Sequence, residues 1–226
     1  MTIWHMSPWK LIMAGGPVMA PILLCSIFAI AIIISRMWYF SAISTNTYEL
    51  KKLIFDHIKN NNIAEAINLC DASRAPLAKI LKAGIVKFGH PSEEIRENME
   101  DASLFEIPKL EKRLSSLATI AHIAPLLGLL GTVTGISGSF YTIQIRAASL
   151  NPSSPGDLAG GIWEALITTI AGLIVAIPAY VAYNYLVSCV NTIVLEMERG
   201  ATELAGLLTQ ISSAKPTKWG GYKSEV

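Results

Sequence analysis

Charged side chains are missing from three long stretches of this 226-residue chain. Residues 11–35 run uncharged between Lys10 and Arg36, residues 114–145 between Arg113 and Arg146, and residues 165–195 between Glu164 and Glu196. These runs are 25, 32 and 31 residues long. About 20 apolar residues in a helix cross about 30 Å of hydrocarbon, so each run can span a bilayer once. Lipid offers no partner for free backbone N–H and C=O groups, which makes helices the form to expect. The pattern predicts transmembrane helices at 11–36, 117–143 and 158–186, with a linker at 144–157. The second and third runs exceed the span and should tilt or project beyond it. The first is too long for the apolar core of a signal peptide, and Ser41-Ala42-Ile43-Ser44 is a poor cleavage site.

Between the first and second runs the periodicity changes. Tyr48, Leu50, Leu53, Ile54, His57 and Ile58 recur at mostly three- and four-residue steps, as on one face of a helix. Asn62 followed by Glu65 has the form of a reciprocal cap opening a short helix through Leu69. Pro76 suits the first turn of a helix ending near Gly89. Beyond Pro91 the acidic cluster Glu93, Glu94, Glu97, Glu100 and Asp101 opens a long helix that the sequence allows to continue into the second span, with Pro108 as a possible kink. Residues 37–116 therefore read as a solvated helical domain, with 187–211 as a second helical extension. Residues 212–226 read as a disordered tail and 1–10 as an interfacial N-terminus.

Composition agrees: 52% of residues are hydrophobic, 15% are charged, and the mean hydropathy is +0.45. A net charge of +1 gives no basic field for nucleic acid. Cys25, Cys70 and Cys189 form no metal-binding spacing, and neither a metal site nor a cofactor motif is visible. The basic residues are unevenly placed. Twelve of 18 lie in 36–113 and four in the tail after Leu195, leaving only Lys10 and Arg146 elsewhere. Sixteen against two puts the large loop and C-terminus in the cytoplasm and the N-terminus outside. The fold expected is an all-α integral membrane protein of three transmembrane helices with long cytoplasmic helical extensions.

The second and third spans carry the informative residues. Ala121, Ala124, Gly128, Gly131, Gly135 and Gly138 recur at spacings of three and four, making one small-residue stripe. In lipid such stripes let helix backbones approach closely. Thr132 lies on its flank. On the third span Gly161, Ala165, Thr168, Thr169, Gly172, Ala176 and Ala179 share an arc with Glu164. Trp163, Leu166, Ile167, Ile170, Leu173, Ile174 and Ile177 fill the opposite side. A carboxylate in hydrocarbon costs several kcal/mol. Glu164 therefore reads either as a proton-path residue lining a wet interior or as an interfacial acid near the start of its span. His122 can handle protons near neutrality or simply pack. Pro125 and Pro178 are expected to bend their helices.

These residues have a family likeness. Residues 124–135 (APLLGLLGTVTG) followed by Phe140, residues 161–173 (GIWEALITTIAGL) and residues 176–179 (AIPA) resemble the ExbB/TolQ/MotA proton-channel family. Gly15-Gly-Pro-Val-Met19 and Glu65-Ala-Ile-Asn-Leu-Cys70 are similar to its ExbB/TolQ branch. The likeness runs from about residue 11 to residue 208. It implies a homopentamer around a central pore that holds the two transmembrane helices of an ExbD/TolR-like partner dimer, in a bacterial inner membrane. By motif, Glu164 is similar to the family's pore glutamate, and Thr132 and Thr169 resemble its pore-lining threonines. The partner would supply the aspartate that is protonated and released. Two departures stand out: Ser35 where an acid before the arginine is commoner, and Ile136-Ser137 where a methionine is frequent.

The expected function is thus a non-enzymatic stator subunit that uses the proton-motive force to energise TonB-dependent import. A TolQ-like role in envelope integrity, acting on a TolA-like protein, is the alternative within the family. A flagellar-type motor fits less well, since a MotA-like chain usually has four spans. A structural scaffold would need the small stripes but not Glu164, Thr132 and Thr169. A secondary transporter is disfavoured by three spans without an inverted repeat.

Overall fold

The structure is a computed structural model that describes residues 13–44, 47–148 and 155–214. Among the described residues the helices are α1 (Met19–Ser44), α2 (Thr47–Lys59), α3 (Ile63–Ala72), α4 (Pro76–Val86), α5 (Ser92–Glu111), α6 (Leu114–Ala148) and α7 (Pro155–Ala214), and no strand occurs among them. Among the described residues three stretches are long and apolar enough to cross a membrane: Met19–Ile43, Ser92–Ala148 and Leu158–Ser212. Helix reaches into both ends of the segment expected as a linker at 144–157, since α6 continues to Ala148 and α7 begins at Pro155. Pro155 costs nothing there, since the first helical turn has no use for its missing N–H. Helix α7 also extends past residue 212, and residues 215–226 of the expected tail lie outside the described residues, as does the N-terminal segment 1–10.

The described residues form two compact units, 13–36 with 113–186 and 37–112 with 187–214. In the second unit, α4 supplies Leu77, Ala78, Ile80, Leu81 and Ile85 to a core completed by Ile54 and Ile58, Ala66 and Cys70, Ile95 and Met99, and Met197, Leu204 and Leu208. Each fully buried Leu or Ile contributes about 1.5–3 kcal/mol. Glycine makes room for neighbouring side chains at two points. A Cβ on Gly84 would stand 2.6 Å from Met99 Sδ, and one on Gly200 would stand 2.7 Å from Leu77 Cδ1. Around this core Lys79 (3.1 Å) and Lys109 (2.6 Å) both donate to the buried carboxylate of Glu106. Burial pushes the Glu106 pKa up, but hydrogen bonds from Lys109 and Lys79 and their charges prevail and hold it below the usual carboxylate range.

Two local expectations need correction. Asn62 stands at the start of α3 but makes no side-chain capping bond, because the chain arrives through Asn61 at φ 60° and leaves Asn62 at φ −94°, ψ 64° rather than in an extended cap. Helix α5 also does not run into α6. Pro108 withholds one N–H from the helical ladder, and α5 stops at Glu111. Lys112 is then extended (ψ 133°) and Arg113 is left-handed (φ 67°), and the Arg113 carbonyl accepts the Leu117 N–H at 3.2 Å to begin α6.

Candidate functional site

In the first unit, α6 and α7 meet along a seam made mostly of missing side chains. Ala121, Ala124, Gly128, Gly131 and Gly135 are buried on α6. Opposite them on α7, Ala165, Thr168, Ala176 and Ala179 are buried. A Cβ on Gly128 would lie 3.0 Å from Thr169 Cα, one on Gly135 2.8 Å from the Gly161 carbonyl, and one on Gly172 2.6 Å from the Ala124 carbonyl. At Gly131 it would collide with the Thr168 hydroxyl, and at Gly161 with the Ser139 hydroxyl. Backbone therefore lies on backbone at most of these points.

Gly138 is not part of this seam. A Cβ there would meet nothing within 4 Å, and Ser139 is buried in its place. Steps of three and four average less than the 3.6 residues of a helical turn. A stripe read at that spacing therefore drifts, and a step of four from Gly135 brings Ser139 round to α7. Ile167 is the second correction. It belongs to the bulky side by sequence, yet it is 4% exposed, because the turn around Gly15 covers it.

Hydroxyls hold the seam as well as lining it. Thr169 Oγ1 donates to the Gly128 carbonyl at 3.1 Å, crossing from α7 to α6. Thr168, 1% exposed, donates to the Ala165 carbonyl at 2.8 Å and faces Gly131. Thr132, on the other helix, donates to its own Leu129 carbonyl at 2.6 Å and makes no hydrogen bond with Thr169 or Glu164. Glu164 is half-buried one turn before Thr168, and its carboxyl lies against Gly16 in the turn preceding α1. The structure thus brings Thr168 and Thr169 to the α6 glycines and Glu164 to the N-terminal turn; it does not gather Glu164, Thr132 and Thr169 at one point of the protomer.

Other candidates are placed as follows. His122 is exposed, with Nδ1 2.7 Å from the Ala118 carbonyl and its ring edge-on to Tyr180 at 6.3 Å. Pro125 and Pro178 both lie inside continuous helices. No group of three or more metal-ligating side chains occurs among the described residues. Ser139 and Gly16 are the site residues that sequence reasoning missed. The signal for Ser139 was its step of four from Gly135. For Gly16 it was a Gly-Gly-Pro run just before an apolar helix.

The family model described as the MotA/TolQ/ExbB proton channel family matches residues 72–199. The chain is 33% identical over 172 residues to a putative biopolymer transport protein ExbB-like 3 from Synechocystis, covering 76% of this chain and 81% of the relative. A second Synechocystis protein, putative biopolymer transport protein ExbB-like 1, is 36% identical over 180 residues, covering 77% of this chain and 68% of its own. A putative biopolymer transport protein ExbB homolog from Methanothermobacter thermautotrophicus is 29% identical over 175 residues, covering 76% and 60%.

Proposed function

Since the chain belongs to the MotA/TolQ/ExbB proton channel family, we propose that it is the stator subunit of an inner-membrane motor driven by the proton-motive force. The observation that carries this reading is Glu164, a half-buried carboxyl near the N-terminal end of an apolar helix, one turn before a threonine pair. A carboxyl in such surroundings is costly, which makes it a functional-site residue by default. Five copies would surround the two transmembrane helices of an ExbD/TolR-like dimer, with the N-terminus periplasmic and the C-terminus cytoplasmic. Glu164 would take and release the proton alongside the partner's aspartate. Thr132, and Thr169 on releasing the Gly128 carbonyl, would relay it or hold water, because a hydroxyl donates and accepts without becoming charged. The work done would be TonB-dependent import, and the names of the relatives favour this over the TolQ-like task.

The seam supports a non-conducting scaffold equally well, because Thr168 and Thr169 are both spent on helix contacts. Glu164 separates the two readings. The test is to purify the chain from native membranes with its co-purifying partner and reconstitute it in liposomes. Proton uptake would then be followed with a trapped pH dye under an imposed potential. The expected result is a single-span partner with an aspartate in its span, and uptake that Glu164→Gln abolishes without changing oligomer size. Uptake at the native rate in that variant would remove Glu164 from the path. An oligomer with no partner and no uptake would establish the scaffold.

A further inference from the structure

We propose that Gly16 is a positioning residue for Glu164: its left-handed backbone and missing side chain form the seat that fixes where the carboxyl rests. This inference rests on the proton-carrying role of Glu164 proposed above. Gly16 has φ +61°, a conformation that L side chains rarely adopt. A Cβ built there would overlap Glu164 Oε1 and lie 2.8 Å from Cδ and 3.6 Å from Cγ. The backbone angle favours glycine, and a Cβ there would displace the flexible group that fills the space, the reactive end of Glu164 itself. Gly128, Gly135 and Gly172 make room mainly for backbone.

The seat is held in place from several directions. The Gly16 carbonyl accepts the Met19 N–H at 3.2 Å and the Pro17 carbonyl accepts the Ala20 N–H at 3.3 Å, which ties the turn to the start of α1. Gly15 is buried, and a Cβ on it would touch Thr168 Cγ2 at 3.4 Å and Ile167 Cγ2 at 3.5 Å. The turn thus lies along 164–168 of α7. No hydrogen bond or salt bridge to the Glu164 carboxyl occurs among the described residues, and the turn packs against its end. A carboxyl without an ionic partner can leave its seat without first breaking an ionic bond, which suits a group that must pass a proton on.

The test uses the full chain with its co-purified partner in the same liposomes. Gly16→Asn keeps a residue that tolerates the left-handed region but adds a Cβ. It is expected to cut proton uptake about tenfold or more, as displacement of a reacting group by about 1 Å does elsewhere. Glu164→Asp draws the carboxyl back by one methylene and should be slow alone, yet Gly16→Asn/Glu164→Asp should run faster than Gly16→Asn. A merely structural role for Gly16 predicts losses that add. Native uptake in Gly16→Asn, or a double variant no faster than that single, overturns the inference. Should Gly16→Asn fail to assemble, Gly16→Asn/Glu164→Ala keeps the contact testable, because it removes the side chain that the new Cβ would meet. The double variant is expected to assemble, and its failure to do so overturns the contact. Full uptake in Glu164→Gln would instead sink the proton-carrying role, whatever Gly16 does.

Discussion

Replacing Gly172 by alanine should separate α6 from α7. The added Cβ would stand 2.6 Å from the Ala124 carbonyl oxygen and 3.2 Å from Gly128 Cα, both backbone atoms that cannot rotate away. Ordinary contact begins at 3.4 Å, so the helices must part locally by about 0.8 Å (3.4 − 2.6). A gap of about 0.5–1 Å forfeits a quarter to a half of the dispersion energy across the contact. Parting by that amount also stretches the 3.1 Å bond from Thr169 to the Gly128 carbonyl beyond hydrogen-bond range. In a membrane such a bond is worth about 0.6–1.7 kcal/mol. Overpacking costs about 1–3 kcal/mol, which puts the total near 2–4 kcal/mol. Alanine itself is the better helix former by about 0.5–1 kcal/mol, which leaves a net loss of about 1–3 kcal/mol. The assay is reversible unfolding in mixed micelles with rising SDS, followed by far-ultraviolet circular dichroism. Gly138→Ala serves as the control, because its Cβ meets nothing within 4 Å. Gly172→Ala should unfold at clearly lower SDS and Gly138→Ala at equal or higher SDS. Equal midpoints for Gly172→Ala and the native chain would refute the close-packing argument, as would equal losses in both variants.

Two predictions concern the other unit. Glu106 has a folded-state pKa below its unfolded value, so its stabilisation is present above the unfolded pKa and fades as pH falls through the folded one. Glu106→Gln should therefore cost about 1–3 kcal/mol near neutral pH and progressively less below about pH 4.3, the ordinary glutamate value. Thermal unfolding of the two proteins across that range checks this, and a constant difference would contradict it. Cys70 is 2% exposed, and burial, with the neighbouring Asp71 charge, pushes its thiol up to about 11. At pH 8 about one thiol in a thousand is ionised at that value, against about one in ten at 9.0. Iodoacetamide should leave Cys70 unlabelled until the protein is unfolded, as peptide mass spectrometry would show; fast labelling in the folded chain would contradict its burial.

Helical periodicity exposed much of this architecture, because lipid makes length and missing charge decisive, and the helix starts at Pro76 and Ser92 follow from Pro and acidic residues at fixed offsets. Glu164, Thr168 and Thr169 could be singled out because polar groups are rare in such a span. What escaped was whatever depends on segments distant in sequence. Nothing local in 112–113 announces that Arg113 will turn left-handed. The burial of Ile167 and the seat of the Glu164 carboxyl both come from a turn about 150 residues earlier in the chain. Gly138 and Ser139 differ by a single step of the helix, a finer distinction than a repeat of three and four can make.

The seam between α6 and α7 has a consequence for how the chain tolerates change. Its information lies in absent atoms, and glycine has no smaller replacement, so every substitution at Gly128, Gly135 or Gly172 errs in the same direction. Saturation mutagenesis should therefore show two kinds of intolerant position across these two helices. Seam positions would reject residues in order of volume, whatever their chemistry. Glu164 would instead reject them by chemistry, so that glutamine, nearly its equal in volume, fails where a shorter acid retains some activity. That contrast would map the helix contact and the proton path in a single selection, with no further structure needed.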